Sequence, residues 1–271
     1  MPEWITEPFS HGFMLRAWLG TACCAVACAC LGTHLVARRM TFVGSALTHT
    51  LLPGVVAAWL LGLSPQLGAA AAAVATAGLI ALVGGRREAG EDAAVGVAQS
   101  ALFALGIVLM AQAQSWRDFT GLLFGTALGI GPGETWGMAA TAAGALAALA
   151  AGHRALEASA LDEDYARLAG LRPALLRLGL VALAGLAAAA AVRLLGAMLT
   201  SALLIVPAAA GLLLARSLAG AMAWASALAL LGCTGGLLAS YHLADLPSGA
   251  AMVGGCCLMF ALARGWRALR G

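Results

Sequence analysis

The sequence contains no lysine and carries little charge of either sign. All 15 permanently basic side chains are arginines, and charged residues make up 10% of the 271 positions. A phosphate-binding loop of the type G-x-x-x-x-G-K-[ST] needs a lysine that reaches the phosphates, and Schiff-base chemistry needs a lysine amine. The sequence excludes both. If nucleotide hydrolysis drives this protein, a separate subunit must carry it out.

Two common metal-binding patterns are also missing. There is no H-E-x-x-H motif, and the seven cysteines form no C-x-x-C pair. All seven lie in apolar stretches, where cysteine commonly serves as a small buried hydrophobe. Cys24 and Cys28 share a helical face, so a soft-metal site at this pair is the alternative to simple packing.

Apolar residues dominate what is present. They make up 62% of the chain, and the mean hydropathy is +0.93. A helix needs about 20 apolar residues to cross the hydrocarbon layer, and charge clusters divide the chain into stretches of about that length. We therefore predict an all-α integral membrane protein, a polytopic bundle of eight to nine transmembrane helices in one domain over residues 1–271. The predicted spans are residues 13–36, 43–62, 66–83, 94–113, 136–152, 174–195, 197–215, 219–239 and 249–263.

One apolar segment is too short to cross. Residues 119–130 (FTGLLFGTALGI) have glycine at positions 121, 125 and 129. Glycine at every fourth residue suits a short helix that packs closely against others. We predict a re-entrant or interfacial element here.

The arginines predict which loops face the cytoplasm. Placing the amino terminus outside leaves only Arg16, Arg117 and Arg193 on the outer side and all other arginines inside. The positive-inside rule favours this orientation. With nine spans, the carboxyl terminus is then cytoplasmic.

The second predicted span has an ionisable side chain at its centre. His49 lies within residues 43–62, and Pro53 follows four residues later. Proline has no amide hydrogen, so the carbonyl of His49 loses its helical partner where lipid supplies no water. An ionisable side chain at that depth is costly, and we predict that it faces a pore or another helix and has a function. A histidine bonded to a neighbouring span for packing alone is the alternative.

A second proline lies in the seventh predicted span. Pro207 removes the helical partner of the Leu203 carbonyl, and the hydroxyls of Thr200 and Ser201 lie nearby. Such hydroxyls either line a pathway or satisfy the backbone groups that proline frees. Both interpretations fit the spacing.

The loop between the fifth and sixth predicted spans contains residues 161–170 (LDEDYARLAG). Asp162 suits the N-cap of a short helix, Glu163 and Asp164 suit its first turn, and Gly170 suits its end. The pattern fits either a docking helix for a cytoplasmic partner or a solvated connector.

Six segments, taken in order, resemble the permease subunit of ABC importers for divalent metal ions, the zinc, manganese and iron family. They are residues 38–54 (RRMTFVGSALTHTLLPG), 91–96 (EDAAVG), 122–125 (LLFG), 161–170 (LDEDYARLAG), 196–207 (GAMLTSALLIVP) and 240–249 (SYHLADLPSG). The resemblance covers nearly the whole chain.

The resemblance implies a type II-like importer permease in the bacterial plasma (inner) membrane. The implied partners are cytoplasmic ATPase subunits, an extracytoplasmic metal-binding protein, a second copy of the chain in a homodimer, and the lipid bilayer, with no nucleic acid. No permanently bound cofactor is implied; the transported ion is expected to be zinc, with manganese or iron as alternatives. The resemblance also implies that residues 161–171 are the coupling helix, which sits in a cleft of the ATPase. Its candidate residues are Asp162, Glu163, Asp164, Ala166, Arg167 and Gly170.

One position departs from the family pattern. Family members usually have aspartate four residues before the histidine of the second span, whereas this chain has Ser45 before His49. Positions 45 and 49 share a helical face, so the geometry for two ligands is kept. A serine hydroxyl is a weaker ligand than a carboxylate, so we expect either transient binding of the ion, through neutral imidazole and carbonyl oxygens, or compensation by a ligand from elsewhere. Weak binding is compatible with transport, because an ion must also leave.

Two other classes of membrane protein are alternatives to the permease. An ion-coupled secondary transporter usually buries several acidic groups in mid-membrane, whereas the acidic residues here lie in loops or at the ends of predicted spans. An intramembrane protease needs H-E-x-x-H or a serine and histidine in facing spans. Nothing in the sequence marks Ser201 and His49 as such a pair.

Overall fold

The computed structural model describes residues 3–84, 91–113, 125, 131–243 and 246–270. Over these residues the chain forms helices joined by short turns and no strand. The helices are α1 (Glu3–Ser10), α2 (Gly12–Ala37), α3 (Thr41–Thr50), α4 (Leu52–Leu60), α5 (Pro65–Gly84), α6 (Glu91–Ala113), α7 (Pro132–Leu161), α8 (Glu163–Leu168), α9 (Pro173–Leu195), α10 (Ala197–Leu214), α11 (Leu218–His242) and α12 (Ser248–Arg270).

Eight of the nine predicted spans each fall on one helix, and the second falls on two, α3 and α4. In the described part of the chain, seven helical stretches are long and apolar enough to cross a membrane, and Gln66–Ile80 and Leu199–Leu214 are shorter apolar helices. The prediction of an all-α polytopic membrane protein is confirmed. The predicted re-entrant element at residues 119–130 lies outside the described residues, apart from Gly125.

Helix α2 forms the centre of the bundle. Its alanine, glycine and cysteine residues are buried along most of its length, and it packs against α7, α9, α10 and α11. Small side chains let helix backbones approach closely, which is how helices associate in lipid without a hydrophobic driving force between them. Cys24 and Cys28 lie inside this core, fully buried or nearly so.

A glycine pair sets the packing of α4 on α5. A methyl group added to Gly54 would overlap the backbone carbonyl of Gly68, and one added to Gly68 would overlap that of Gly54. The two backbones are therefore in direct contact, and neither position has room for a side chain. This contact holds α4 beside α5 on the far side of the break that follows α3.

Two predicted spans end well before their helices. The ninth span was predicted to end at residue 263, but α12 continues to Arg270. The fifth span was predicted to end at residue 152, but α7 continues as one helix to Leu161. Hydropathy falls at His153 and Arg154, yet the following residues are mostly good helix formers, and a helix leaving the membrane keeps its backbone bonds in water. The short helix expected within residues 161–171 is Glu163–Leu168. Most of the predicted loop is therefore helical.

Candidate functional site

His49 lies in the last turn of α3, immediately before the chain breaks its helix at Leu51. The following helix begins at Leu52, with Pro53 in its first turn. Proline is well placed there, because the first amides of a helix have no helical acceptor. The second predicted span is therefore two helices, α3 and α4, and the imidazole sits beside the junction.

The His49 ring borders a small cleft that is partly open to its surroundings. It meets the Phe103 ring of α6 edge-on, with the ring centroids 5.8 Å apart and the planes at 86°. The lining residues are Thr48, His49, Leu51, Leu52, Val55, Phe103, Val192 and Ala197. Only Thr48 and His49 among them have polar side chains, and the Thr48 hydroxyl donates to the Ser45 carbonyl at 2.9 Å. The imidazole is thus the principal ligand group in an otherwise apolar wall.

Ser45 lies one turn before His49 on α3 and is half-buried. Its side chain is not part of the cleft lining. The two predicted ligands therefore share a helix face, but the structure does not bring them into one cavity within a single chain. Their joint role in binding an ion stays a prediction.

One chain does not assemble a complete metal site in its described part. Across residues 3–84, 91–113, 125, 131–243 and 246–270, no three histidine, cysteine, aspartate or glutamate side chains lie close enough to share an ion. This holds for the buried pair Cys24 and Cys28 as well as for His49.

The far wall of the cleft is the junction between α9 and α10. Gly196 joins the two helices with φ +81°, and the Thr200 hydroxyl donates to its carbonyl at 2.8 Å. Gly125, with φ +76°, lies directly against this junction. The sequence marked Gly125 and Gly196 in two separate motifs, and the structure shows them in contact. Sequence reasoning did not find this contact or the role of Phe103, since neither has a periodic signal.

Gly125→Ala is expected to loosen this wall. A methyl group there would overlap backbone atoms of Leu194, Leu195 and Gly196, and alanine is also disfavoured by about 1 kcal/mol at positive φ. We expect the melting temperature of the purified chain to fall by several degrees, as measured by the fluorescence of its tryptophans. Gly131→Ala is the control, because nothing lies within 4 Å of a methyl group there. Equal melting temperatures for the two variants would contradict the assigned contact.

Pro207 lies inside α10, which continues past it without a break. Thr200 is fully buried and bonds to the backbone one turn earlier, whereas Ser201 is half-buried. The Thr200 hydroxyl thus serves the backbone rather than a pathway. A pathway role for Ser201 and Pro207 stays a prediction.

Helix α8 is sharply bounded. The Asp162 carboxylate accepts hydrogen bonds from the backbone amides of Asp164 at 2.8 Å and Tyr165 at 3.1 Å. At the other end Gly170, with φ +79°, donates to the Arg167 carbonyl, and Leu171 donates to that of Ala166. This pair of bonds is the Schellman motif, which ends helices at glycine. Both predicted caps form.

Helix α8 exposes large apolar side chains on its surface. Leu168 is 89% exposed and Tyr165 is largely exposed, as is Leu161 at the end of α7, whereas Ala166 is completely buried against the bundle. Arg167 pairs with Glu163 at 3.0 Å and with Asp164 at 2.7 Å. The helix is thus fixed by one face and presents apolar side chains, bordered by an ion-pair network, on the other.

The fold defines a polytopic α-helical membrane protein with a central helix, a cleft holding one imidazole beside a helix break, and one short capped helix outside the spans. Residues 10–265 match the model of the ABC 3 transport family. The chain belongs to this family, which confirms the resemblance seen in the sequence. It is accordingly the membrane subunit of an ABC transporter, in which ATP hydrolysis belongs to a separate subunit.

Several named proteins are similar to this chain over nearly its whole length. The chain is 31% identical to the manganese transport system membrane protein MntC of Listeria innocua, over 93% of this chain and 90% of that one. It is 29% identical to the probable iron transport system membrane protein of Haemophilus influenzae, over 93% of each. Its fold is similar to PsaBC from Streptococcus pneumoniae in complex with a Fab, with a TM-score of 0.88, 26% identity, and coverage of 96% of this chain and 94% of that one.

Proposed function

We propose that this chain is the pore-forming permease of an importer that moves a divalent transition-metal ion into the cytoplasm, powered by a separate ATPase. The observation that carries the proposal is the placement of His49. Its imidazole borders an apolar cleft at a helix break, and Pro53 has no amide hydrogen to donate to the His49 carbonyl. An imidazole and carbonyl oxygens form a neutral, weak ligand set that lets an ion pass.

The proposed ion is manganese or iron. Relatives that match over about nine-tenths of their length carry the names of manganese and iron transport proteins. A ligand set of imidazole and oxygen accepts these ions, and it accepts zinc as well. Zinc, which the sequence favoured, has no support from these relatives and is tested beside them.

The proposed assembly contains two copies of the chain. One copy supplies a single imidazole to the cleft, and the described part of the chain adds no further cluster of ligands. A second copy across a shared pore would double the number of ligands. An extracytoplasmic metal-binding protein would deliver the ion.

The proposed dock for the ATPase is α8. Its exposed apolar side chains and its network of Glu163, Asp164 and Arg167 lie outside the spans. The arginine distribution places this end of the bundle in the cytoplasm, with the amino terminus outside and the carboxyl terminus inside. We assign the membrane as the bacterial plasma membrane.

The function is tested in lipid vesicles that contain the chain with its co-expressed ATPase and metal-binding protein. We expect ATP-dependent accumulation of Mn²⁺ or Fe²⁺ that vanadate abolishes, at least about tenfold above vesicles without the ATPase. Parallel assays with Zn²⁺ identify the preferred ion. Uptake by the chain alone, without ATP, would instead indicate a secondary transporter.

A further inference from the structure

Two contacts join the end of α2 to the end of α7. The His34 Nε2 and His153 Nδ1 atoms lie 3.3 Å apart. One turn further on, the Arg38 guanidinium donates from Nη2 to the Leu156 carbonyl and to the Ser159 hydroxyl, the latter at 3.3 Å. The sequence separated these partners by more than one hundred residues, and hydropathy gave no sign of them.

The contact is largely screened from solvent. His34 is completely buried, and Ser159 is 3% exposed. His153 carries a second contact, because its Nε2 lies 3.8 Å from the carboxylate of Glu157. Polar groups that are buried and bonded in this way hold two helices in one relative position, since separating them would leave the groups without partners.

The α7 side of this contact is continuous with α8. Asp162 ends α7 and is also the N-cap of α8, so no linker separates the two helices. The buried Ala166 and the Schellman motif at Gly170 fix the other side of α8. A displacement of α8 therefore carries the end of α7 with it.

The α2 side is continuous with α3. Arg39 adopts φ +60° and donates to the Val36 carbonyl, while Met40 donates to that of Leu35. This Schellman motif has an arginine where glycine is usual. It joins Arg38 to the start of α3 through a defined turn, and α3 carries His49. A displacement at Arg38 is thus passed to the helix of the proposed ion site.

Charges from neighbouring elements reach the guanidinium. Burial lowers the pKa of Arg38, the Glu163 carboxylate of α8 raises it, and the Arg177 guanidinium of α9 lowers it. Arginine stays charged throughout. The geometric link from Arg38 toward α8 runs through α7, at the Leu156 carbonyl and the Ser159 hydroxyl.

We propose that Arg38 is a positioning residue that transmits movement of α8 to α3, with the His34–His153 contact holding the same two helices together. The inference rests on the proposed function in one respect, the docking of the ATPase on α8. Arg38 touches neither the ion nor the ATPase in this scheme. It fixes the position of α3, which carries the proposed ion site, relative to α8, the proposed dock of the ATPase.

The test uses the complex of the chain with its co-expressed ATPase. Hydrogen exchange is measured over residues 41–50 and 163–168, with and without ATP and vanadate. In the unaltered complex, both segments are expected to change on nucleotide trapping. In Arg38→Gln, the change at 163–168 is expected to persist, whereas that at 41–50 falls at least fivefold.

Transport supplies a second readout from the same variants. Arg38→Gln is expected to lower the Mn²⁺ ions moved per ATP hydrolysed about tenfold, with the amount of co-purified ATPase unchanged. Arg38→Lys keeps the charge and one donor direction. We expect its number of Mn²⁺ ions moved per ATP to lie between those of the unaltered complex and Arg38→Gln. Arg154→Gln removes an exposed arginine of α7 and serves as the matched control, with no change expected.

Ser159→Ala removes one acceptor of Arg38 and should show the same effect to a smaller extent, which decides the matter if Arg38→Gln does not assemble. An unchanged exchange response at 41–50 in both variants would overturn the proposal, as would equal losses of hydrolysis and transport. Absence of ATPase binding in the unaltered chain would overturn it together with the docking role of α8. Absence of Mn²⁺ uptake alone would contradict the choice of manganese as the transported ion. It would not contradict the role of Arg38, because the hydrogen-exchange comparison needs no transport.

Discussion

His49→Ala is expected to reduce ATP-driven metal uptake to background, a loss of about 100-fold or more. Loss of a group that only supports a metal ligand commonly costs 10–100-fold in affinity or activity. His49 is itself the proposed ligand, and the remaining cleft is apolar apart from Thr48, whose hydroxyl is engaged with the Ser45 carbonyl. An ion entering this cleft would have to shed water without receiving an imidazole in exchange.

The measurement is the initial rate of Mn²⁺ uptake in vesicles, with the amount of co-purified ATPase as a check on assembly. His11→Ala is the matched control, because this histidine is exposed before α2 and stacks on Phe13, away from the cleft. We expect both variants to assemble and only His49→Ala to lose uptake. Full uptake by His49→Ala would remove this residue from the ion path and leave the family assignment intact.

The alternative for His49 is packing alone, and one contact in the structure agrees with it. The ring makes an edge-on contact with Phe103, which is an aromatic packing interaction worth about 1 kcal/mol. A loss of uptake with an unchanged melting temperature would therefore separate the ligand role from the packing role. His49→Phe keeps the aromatic contact, removes both ring nitrogens, and should be as inactive as His49→Ala.

Much of the fold follows from simple rules of membrane proteins. Charge clusters end apolar stretches of about 20 residues, and each predicted span coincides with one helix, except the second, which is divided between α3 and α4. The caps of α8 were also predictable, because Asp162 and Gly170 act through local backbone bonds. Helix caps and apolar spans can both be predicted from a short stretch of neighbouring residues.

The contacts between distant segments were not predictable in this way. Phe103 against His49, Gly125 against the α9–α10 junction, and His34 against His153 each join residues far apart in the chain. No hydrophobic driving force brings helices together in lipid, so the hydrophobic pattern of one span does not predict which other span it packs against. The end of α7 was missed for a related reason, since hydropathy locates the membrane boundary and not the end of a helix that extends beyond it.

Ser45→Asp is expected to tighten metal binding at least tenfold. The substitution restores the carboxylate of the family pattern one turn from His49, on the same face of α3. A carboxylate adds a full negative charge beside a divalent ion, and affinity for such ions rises with the number of charged ligands. A tenfold gain corresponds to about 1.4 kcal/mol.

The direction of this effect depends on where position 45 faces in the assembled protein. Ser45 is half-buried and outside the cleft of a single chain, so the carboxylate meets either the shared pore or lipid. Facing the pore, it gains the ion as a partner; facing lipid, it is left unpaired in hydrocarbon and destabilises the chain. Calorimetric titration of the purified chain with Mn²⁺ distinguishes the two, with Ser45→Asn as the neutral control of the same size. Tighter binding only in Ser45→Asp supports the pore, whereas unchanged binding with a lower melting temperature contradicts a ligand at position 45.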